Sequence, residues 1–324
     1  MGTQSSQRIS KPTNPKKVKK KERKAVEVPS RLARMKKFIN MHNGAQKITL
    51  ILIAVFGLQC AYLLKLFKLF EESRNDLTWA SSNDIISTKQ AVVPCSSTYL
   101  EDIKAFSGCI PSQCGRVVAD NVITSAEAEI LLNLAKRGFA YGESDGGASI
   151  LDFHSGALSK GTKFVNIYSL IKASELFHEE DITTYRSVRR KIQNLLASAF
   201  NISESALYLT HPTFFSFLTN QDAATVHDEY WHTHVDKETY KSFHYTSLLY
   251  LNNYGKDFTG GRFIFDELAN YSTILEPKKA RLSGFTSGWE NPHHVERVTG
   301  GSRYAATISF TCNPKNAIKD PGFR

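Results

Sequence analysis

Residues 303–311 have the sequence Arg-Tyr-Ala-Ala-Thr-Ile-Ser-Phe-Thr, in which the two faces of an extended chain differ in chemistry. Successive side chains of a strand point to opposite faces. One face would carry larger apolar groups and the other an arginine with small or polar groups: Tyr304, Ala306, Ile308 and Phe310 against Arg303, Ala305, Thr307 and Ser309. The pattern predicts a strand with a hydrophobic core on one side and a polar pocket on the other.

Several short runs rich in β-branched and aromatic residues come before this strand, separated by turn signals such as Asn252-Asn253 and Gly260-Gly261. The predicted strands cover residues 207–209, 214–218, 246–251, 262–265, 281–285 and 304–311. Many short strands after helices, without strand–helix–strand alternation, indicate an α+β domain. We predict a jelly-roll core, that is, a double-stranded β-helix, with flanking helices.

Two amphipathic helices are predicted before the strands. The first follows the capping-box spacing Thr124-Ser-Ala-Glu127, and Gly138 stands where it would end. The second covers residues 184–200. Its apolar side chains fall on one face and its basic ones on a solvated face: Val188, Ile192, Leu195 and Leu196 against Arg186, Arg189 and Lys191.

The densest group of candidate metal ligands is Val226-His-Asp-Glu-Tyr-Trp-His-Thr-His-Val-Asp236. His234 and Asp236 are two residues apart, so an extended chain points both to one face. His293 follows 57 residues after Asp236. Two histidines and one carboxylate form the facial triad of non-haem Fe(II) sites, which leaves positions open for other ligands. A zinc hydrolase that uses the same histidines is an alternative.

Arg303 follows ten residues after His293. A guanidinium binds a carboxylate in bidentate fashion, and the Thr307 hydroxyl on the same strand face can add a hydrogen bond. The pair suits a buried dicarboxylate. If Arg303 instead faced solvent, it would be an ordinary charge at a strand end.

These motifs resemble the prolyl 4-hydroxylase-like 2-oxoglutarate/Fe(II) oxygenases over about residues 118–313. The matching stretches are Val-Val-Ala-Asp-Asn-Val-Ile-Thr-Ser-Ala-Glu, His234-x-Asp236, Thr246-Ser-Leu-Leu-Tyr-Leu-Asn252, Gly260-Gly261 and His293-x-Val-x-x-Val-x-x-Gly-x-Arg303-Tyr. The resemblance implies that His234, Asp236 and His293 bind Fe(II). It implies that Arg303 binds the distal carboxylate of 2-oxoglutarate, assisted by Tyr250 and Thr307. His294 stays open as an alternative to His293, while His227 and His232 lie near the site.

The resemblance further implies a dioxygenase that hydroxylates a C–H bond of a protein side chain, prolyl or lysyl in kind. Succinate and CO2 would be the co-products, and L-ascorbate the reductant that restores oxidised iron. Phe243 stands where many relatives have arginine, and Arg262 where an acidic residue is frequent. Specificity for proline therefore does not follow. The alternative function is a catalytically inactive jelly-roll module that binds a peptide or glycan.

Positive charge is concentrated at the N-terminus. Residues 1–47 hold 14 of the 41 Lys/Arg against only Glu22 and Glu27, a net charge of +12, and the rest of the chain has a net charge of about −2. A nucleic-acid partner is not expected, because the folded part has no basic excess. A run of 17 residues without charge, 48–64, follows the basic tail. We interpret residues 48–68 as a signal-anchor helix of a single-pass type II membrane protein, since basic residues favour the cytosolic side.

The expected organisation is a basic cytosolic tail (1–47), the transmembrane helix (48–68), a stalk (69–116), the oxygenase domain (117–313) and a C-terminal tail (314–324). Everything after the membrane would be lumenal, in the endoplasmic reticulum or Golgi, or extracellular. Sequons at Asn201 and Asn270 predict glycosylation there. Cys95, Cys109, Cys114 and Cys312 predict two disulfides with three possible pairings, with metal binding by Cys109 and Cys114 as the alternative. The N-terminal Met-Gly fits an N-myristoylation pattern.

Overall fold

The structure is a computed structural model that describes residues 31–72, 76–267 and 271–322. The chain divides into two units, Met1–Glu71 and Glu72–Arg324. The described part of the first unit is a helix, α1 (Arg31–Glu72), whose last residue belongs to the second unit. The N-myristoylation pattern, most of the basic tail and Asn270 lie outside the described residues.

The prediction of a transmembrane helix at residues 48–68 is wrong, and so is the single-pass type II placement that depended on it. Within the part of the chain that the structure describes, no helix combines the length and the apolar character that crossing a bilayer requires. The uncharged run has 17 residues, whereas a helix needs roughly 20 predominantly apolar residues to span the hydrocarbon layer. Lys47 and Lys65 close the run on both sides.

The second unit is rich in β-structure. Its strands are β1 (Leu77–Ala80), β2 (Lys89–Val92), β3 (Gly115–Ala119), β4 (Ala148–Leu151), β5 (Ala157–Lys160), β6 (Lys163–Asn166), β7 (Tyr208–Leu209), β8 (Phe214–Leu218), β9 (Tyr245–Tyr250), β10 (Phe258–Gly260), β11 (Phe263–Asp266), β12 (Ser272–Leu275), β13 (Leu282–Thr286), β14 (His293–Val295), β15 (Val298–Gly301) and β16 (Arg303–Thr311). Its helices are α2 (Ser97–Ile103), α3 (Ser125–Phe139), α4 (Ala173–Leu176), α5 (Glu179–Phe200) and α6 (Asp236–Thr239), with 3-10 turns at Ile167–Ser169, Glu204–Ala206, Val226–Asp228 and Pro314–Asn316.

The strands form a jelly-roll-like double layer, as predicted. The large sheet has the order β2-β3-β13-β9-β16-β8-β4-β5-β6, with β7 also paired to β16, and the small sheet has the order β1-β12-β11-β14. A separate ribbon pairs β10 with β15. The large sheet packs α3 and α5 on one face, where Ala306, Ile308 and Phe310 are buried. Ala305 packs on the other face with residues of the small sheet, which confirms the predicted division of β16 into two faces.

Helix α3 confirms the predicted capping box but not the predicted end. Thr124 Oγ1 accepts a hydrogen bond from the Glu127 amide at 3.1 Å, and Glu127 Oε2 accepts one from the Thr124 amide at 2.9 Å. Gly138 lies inside the last turn, where a Cβ atom would come within 2.2 Å of the Leu151 side chain. Glycine here lets the Leu151 side chain of β4 approach the helix closely and does not end the helix.

Helix α5 begins five residues before its predicted start, with Glu179, Glu180 and Asp181 in the first turn. Acidic residues there complement the helix dipole. The basic face is not freely solvated: Arg189 donates to both carboxylate oxygens of Asp320, at 2.9 and 2.6 Å, so it anchors the C-terminal segment. Asn201, a predicted glycosylation site, is the exposed residue that ends α5 in the left-handed conformation (φ 53°, ψ 51°).

Residues 76–116, hereafter the N-terminal segment, lie in the predicted stalk. They contain β1, which pairs in parallel with β12, and β2, which pairs with β3. Of the three possible pairings, the disulfides are Cys95–Cys114 and Cys109–Cys312. The second disulfide joins this segment to the residue that follows β16, the central strand of the large sheet.

Candidate functional site

His234, Asp236 and His293 come together between the two sheets, and their potential ligand atoms all lie within 4.8 Å of one another. The Nε2 atoms of both histidines are 3.7 Å from Asp236 Oδ1. A β-bridge joins the two histidine backbones: the His234 amide donates to the His293 carbonyl at 2.9 Å, and the reverse bond is 3.0 Å. Residues far apart in sequence thus form one group that can hold a metal ion.

Hydrogen bonds orient all three side chains. His293 Nδ1 lies 2.9 Å from the Asn291 carbonyl, and His234 Nδ1 lies 3.0 Å from the His232 carbonyl. A carbonyl oxygen only accepts, so each Nδ1 carries the proton and each Nε2 keeps a free lone pair towards the centre. Thr246 Oγ1 donates to Asp236 Oδ2 at 2.6 Å, which leaves Oδ1 for the centre.

The two histidines differ in their surroundings. The His293 side chain is 4% exposed, whereas that of His234 is 42% exposed. Burial lowers the pKa of His293 to about 4, against the opposing effect of the Asp236 charge. His293 is therefore a neutral imidazole at physiological pH, the form that binds metals. The Phe263 ring stacks on it with ring centroids 5.0 Å apart.

A cavity of about 260 Å³ contains this group. Alternate residues of four neighbouring strands of the large sheet, β4, β8, β16 and β9, form one wall, and β11 and β14 of the small sheet contribute to the other. Much of the lining is aromatic: Phe214, Tyr230, Tyr240, Phe243 and Phe263. A larger cavity of about 450 Å³, beside His154 and Tyr168, contains none of these candidate ligands.

Arg303 and Thr307 line the same cavity as the three candidate ligands. Arg303 is 1% exposed, and burial lowers the pKa of its guanidinium. Its Nε donates to the Gly261 carbonyl at 2.9 Å. Among the described residues, its Nη2 has no hydrogen-bond partner. A buried donor without a partner is costly, so this atom is suited to an anionic ligand.

The remaining predicted residues lie around this group. Tyr250 is not part of the cavity lining: its ring packs under the Arg303 guanidinium at 5.5 Å, and its hydroxyl lies 3.3 Å from Ser283 Oγ. His294 Nδ1 lies 2.8 Å from Asp266 Oδ2, outside the cavity, because alternate residues of β14 point to opposite faces. His227 lines the cavity, whereas His232 is exposed and pairs with Glu229.

Sequence reasoning missed three supporting residues. Thr246 was noted within a motif, but its hydrogen bond to Asp236 was not foreseen. Phe263 stacks on His293, and Asn291 provides the carbonyl that orients it. The spacing was a usable signal, since Asn291 precedes His293 by two residues just as His232 precedes His234.

Comparison with known proteins identifies the family of this chain. Residues 220–311 match the family described as the 2OG-Fe(II) oxygenase superfamily. The 2-oxoglutarate and iron-dependent oxygenase domain-containing protein 3 of Xenopus tropicalis is 53% identical over 82% of this chain and 83% of its own length. The Homo sapiens protein of the same name is 53% identical over 75% of this chain and 76% of its own length. Prolyl 3-hydroxylase 1 of Mus musculus is 29% identical over 63% of this chain and 29% of its own length. The chain therefore belongs to the 2OG-Fe(II) oxygenase superfamily, in the family of the 2-oxoglutarate and iron-dependent oxygenase domain-containing protein 3.

Proposed function

We propose that this protein is an Fe(II)- and 2-oxoglutarate-dependent dioxygenase that hydroxylates a C–H bond of a protein side chain. The observation that carries the proposal is that one cavity holds both a group of three potential metal ligands and a buried guanidinium with an unpartnered donor. Family membership supports the choice of Fe(II) and 2-oxoglutarate.

The donor set fits a divalent first-row metal. Two imidazole nitrogens and one carboxylate oxygen suit Fe(II) and leave other positions open. Ligands that share such an ion at about 2.1 Å lie roughly 3.0–3.4 Å from each other. The two 3.7 Å distances to Asp236 slightly exceed that range, and all three ligand atoms lie within 4.8 Å of one another, so a closing movement of the side chains would bring them to binding distance.

The arginine end of the cavity fits a dicarboxylate. Arg303 would bind one carboxylate through Nη2, and Thr307 would add a hydrogen bond. Tyr250 supports the guanidinium from below rather than touching the ligand. In this proposal the role of Tyr250 is therefore to position Arg303.

When bound, Fe(II) would allow dioxygen to oxidise 2-oxoglutarate to succinate and CO2 and to hydroxylate the substrate, with one oxygen atom entering succinate and the other the C–H bond. The protein's contribution is orientation and shielding. Thr246 holds the Asp236 carboxylate, the two backbone carbonyls hold the imidazoles, and the aromatic lining keeps bulk water from the reacting atoms.

The substrate class rests on similarity and on the cavity wall. A prolyl 3-hydroxylase is among the relatives, which supports a protein side chain, prolyl or lysyl in kind, as the substrate. Phe243 is buried at the cavity and packs on Tyr240 with ring centroids 4.8 Å apart. Because Phe243 stands where many relatives have arginine, this wall favours an apolar ring or methylene chain of the substrate.

Turnover of 2-oxoglutarate by the purified full chain tests the proposal. With Fe(II), ascorbate as reductant and no added substrate, we expect slow formation of succinate, abolished in His234→Ala and Asp236→Ala. His294→Ala is the matched control, because it removes a neighbouring histidine outside the cavity and should keep turnover. An iron-loaded chain that forms no succinate would favour the inactive binding module.

Mass spectrometry of captured proteins would then identify the substrate. Proteins bound by the active chain should gain the mass of one oxygen atom on a prolyl or lysyl residue. The same residue should lack that gain after exposure to the Asp236→Ala variant. A gain that persists with Asp236→Ala would come from another enzyme.

A further inference from the structure

Arg116, in β3, is linked to the surroundings of His293 by two routes. Its Nε donates to Asn291 Oδ1 at 2.7 Å. Its guanidinium lies 3.9 Å from the centroid of the Phe265 ring, and that ring is 6.2 Å from the His293 ring. Glu267 pairs with its charge. A buried cation is thus connected to the imidazole through one amide and one aromatic ring.

Asn291 is the rigid element of this connection. It is 1% exposed, and its Nδ2 donates to the carbonyl and the hydroxyl of Thr286 at 2.8 and 3.0 Å. With Arg116 on Oδ1, both ends of the side-chain amide are hydrogen-bonded. The backbone carbonyl of the same residue accepts the hydrogen bond from His293 Nδ1. These bonds anchor Asn291 through its side chain, and they thereby support the carbonyl that orients the imidazole.

Stability alone does not explain a buried arginine at this position. Burying a guanidinium costs free energy, and apolar residues of similar volume often replace buried ion pairs without loss. Arg116 is 3% exposed, and among the described residues its Nη2 has no hydrogen-bond partner. A role in orienting its neighbours accounts for a cation in this place.

The N-terminal segment also contacts the neighbourhood of Asp236. Asp102 Oδ2 lies 2.5 Å from Lys237 Nζ and 3.0 Å from His244 Nε2. Lys237 directly follows Asp236, and its amide donates to the Ser287 carbonyl at 3.0 Å. The segment therefore reaches residues next to two of the three candidate ligands.

We propose that Arg116 and Asn291 are positioning residues that hold the His293 imidazole for metal binding, and that the N-terminal segment is therefore part of the metal-binding unit. The inference rests on the proposed function in one respect, which is that His293 binds the metal.

Metal affinity of the full chain tests the inference, with Co(II) as the probe. In Arg116→Met we expect the affinity to fall by about 10- to 100-fold, the range found when residues that orient metal ligands are removed. The direction in which the Co(II) affinity changes is decisive. Removing a nearby positive charge would by itself strengthen the binding of a cation, so only a loss of orientation weakens it.

Two further variants separate positioning from charge and from folding. Arg116→Lys keeps the charge and can pair with Glu267, but one ammonium cannot also reproduce the bond to Asn291, so it should weaken binding as well. Asn291→Ala breaks the connection independently and covers the case in which Arg116→Met does not fold. Arg189→Met is the matched control, since Arg189 is a partly buried arginine of α5 that pairs with Asp320 in the C-terminal segment and not with the N-terminal segment. Its folded protein should bind Co(II) normally.

The visible absorption spectrum of bound Co(II) gives a second readout, because it reports coordination geometry. It should change in Arg116→Met and Asn291→Ala and stay constant in the Arg189→Met control. The inference is overturned if the folded Arg116 and Asn291 variants keep the parent affinity and spectrum, or if the control weakens binding equally. Failure of the proposed function looks different: the parent chain would not bind Co(II), or His293→Ala would bind it as well as the parent, and the inference would fall with it.

Discussion

The two histidines of the candidate metal centre have the same local geometry but different supports. Each donates from Nδ1 to the backbone carbonyl two residues earlier. In the His293 arm, residues 291–295, that carbonyl belongs to the buried Asn291. In the His234 arm, residues 225–234, it belongs to the exposed His232, whose ring pairs with the partly exposed Glu229.

The two histidines are therefore expected to behave differently when a metal ion binds. Orientation can be set in advance only where packing and hydrogen bonds restrict the chain, as they do around His293. A solvent-exposed turn such as the one before His234 opens at a small free-energy cost. We therefore expect the His293 arm to be preformed and the His234 arm to adjust when metal binds.

The largest effect should come from removing each imidazole in turn from the metal-free chain. His293→Ala leaves a cavity among Phe263, Phe265 and Phe285 and should lower the free energy of unfolding by about 2–4 kcal/mol. His234→Ala removes a ring that is 42% exposed and should change the free energy of unfolding by only about 0.5–1 kcal/mol. Denaturant unfolding measures both. Equal losses would remove the distinction between the arms.

Acid should destabilise the folded chain through His244, a buried residue beside Lys237. Burial, aided by the Lys237 charge, lowers the pKa of His244 to about 4 from its ordinary value near 6.5, and Asp102 opposes the shift. The unfolded chain then binds a proton that the folded chain does not. As the pH drops from about 6.5 to about 4, protonation of His244 in the unfolded chain therefore lowers the free energy of unfolding by up to about 1.4 kcal/mol per pH unit. His244→Gln should flatten this slope in unfolding curves, and an unchanged slope would contradict the assignment.

A smaller effect is expected at Thr246, which supports the Asp236 carboxylate that lies beside both histidines. Thr246→Val keeps the shape of the side chain but removes the hydroxyl that donates to Asp236. Metal affinity should weaken by about tenfold. Ser247→Ala is the matched control, since that hydroxyl donates to the Ile308 carbonyl instead. Equal effects of the two substitutions in a Co(II) titration would show that the hydrogen bond from Thr246 to Asp236 has no specific role in metal binding.

The smallest effect is expected at the residue next to His293. His294→Ala removes the contact with Asp266 and no group of the cavity, so metal affinity should stay as in the parent chain. Isothermal titration with Mn(II) measures this. Loss of metal binding in His294→Ala but not in His293→Ala would show that His294, and not His293, is the metal ligand.

Patterns with strong alternation or a complete local motif were predictable from the sequence. Strands β8, β9 and β16 lie within one residue of their predicted limits, because apolar alternation and flanking turns mark them. The capping box places the start of α3 because it depends only on neighbouring residues. The separation of Arg303 and Thr307 from the apolar face of β16 followed from the two-residue period.

What depends on distant contacts was not predictable. Strands β1 and β14 have four and three residues, too few for a periodic signal, and each forms only by pairing with a distant partner. The same limit hid the bond between Arg116 and Asn291. The error at residues 48–68 had another cause: the uncharged run has only 17 residues, at the short end of the lengths that span a bilayer, and lysines bound it on both sides.

Binding of 2-oxoglutarate to the Mn(II)-loaded full chain tests the central claim most directly, because it needs both ends of the cavity. Anaerobic calorimetry should show binding to the parent chain, no binding without metal, and strong loss in both Asp236→Ala and Arg303→Met. Binding that is independent of metal, or that survives Arg303→Met unchanged, would contradict the assignment of this cavity to Fe(II) and 2-oxoglutarate.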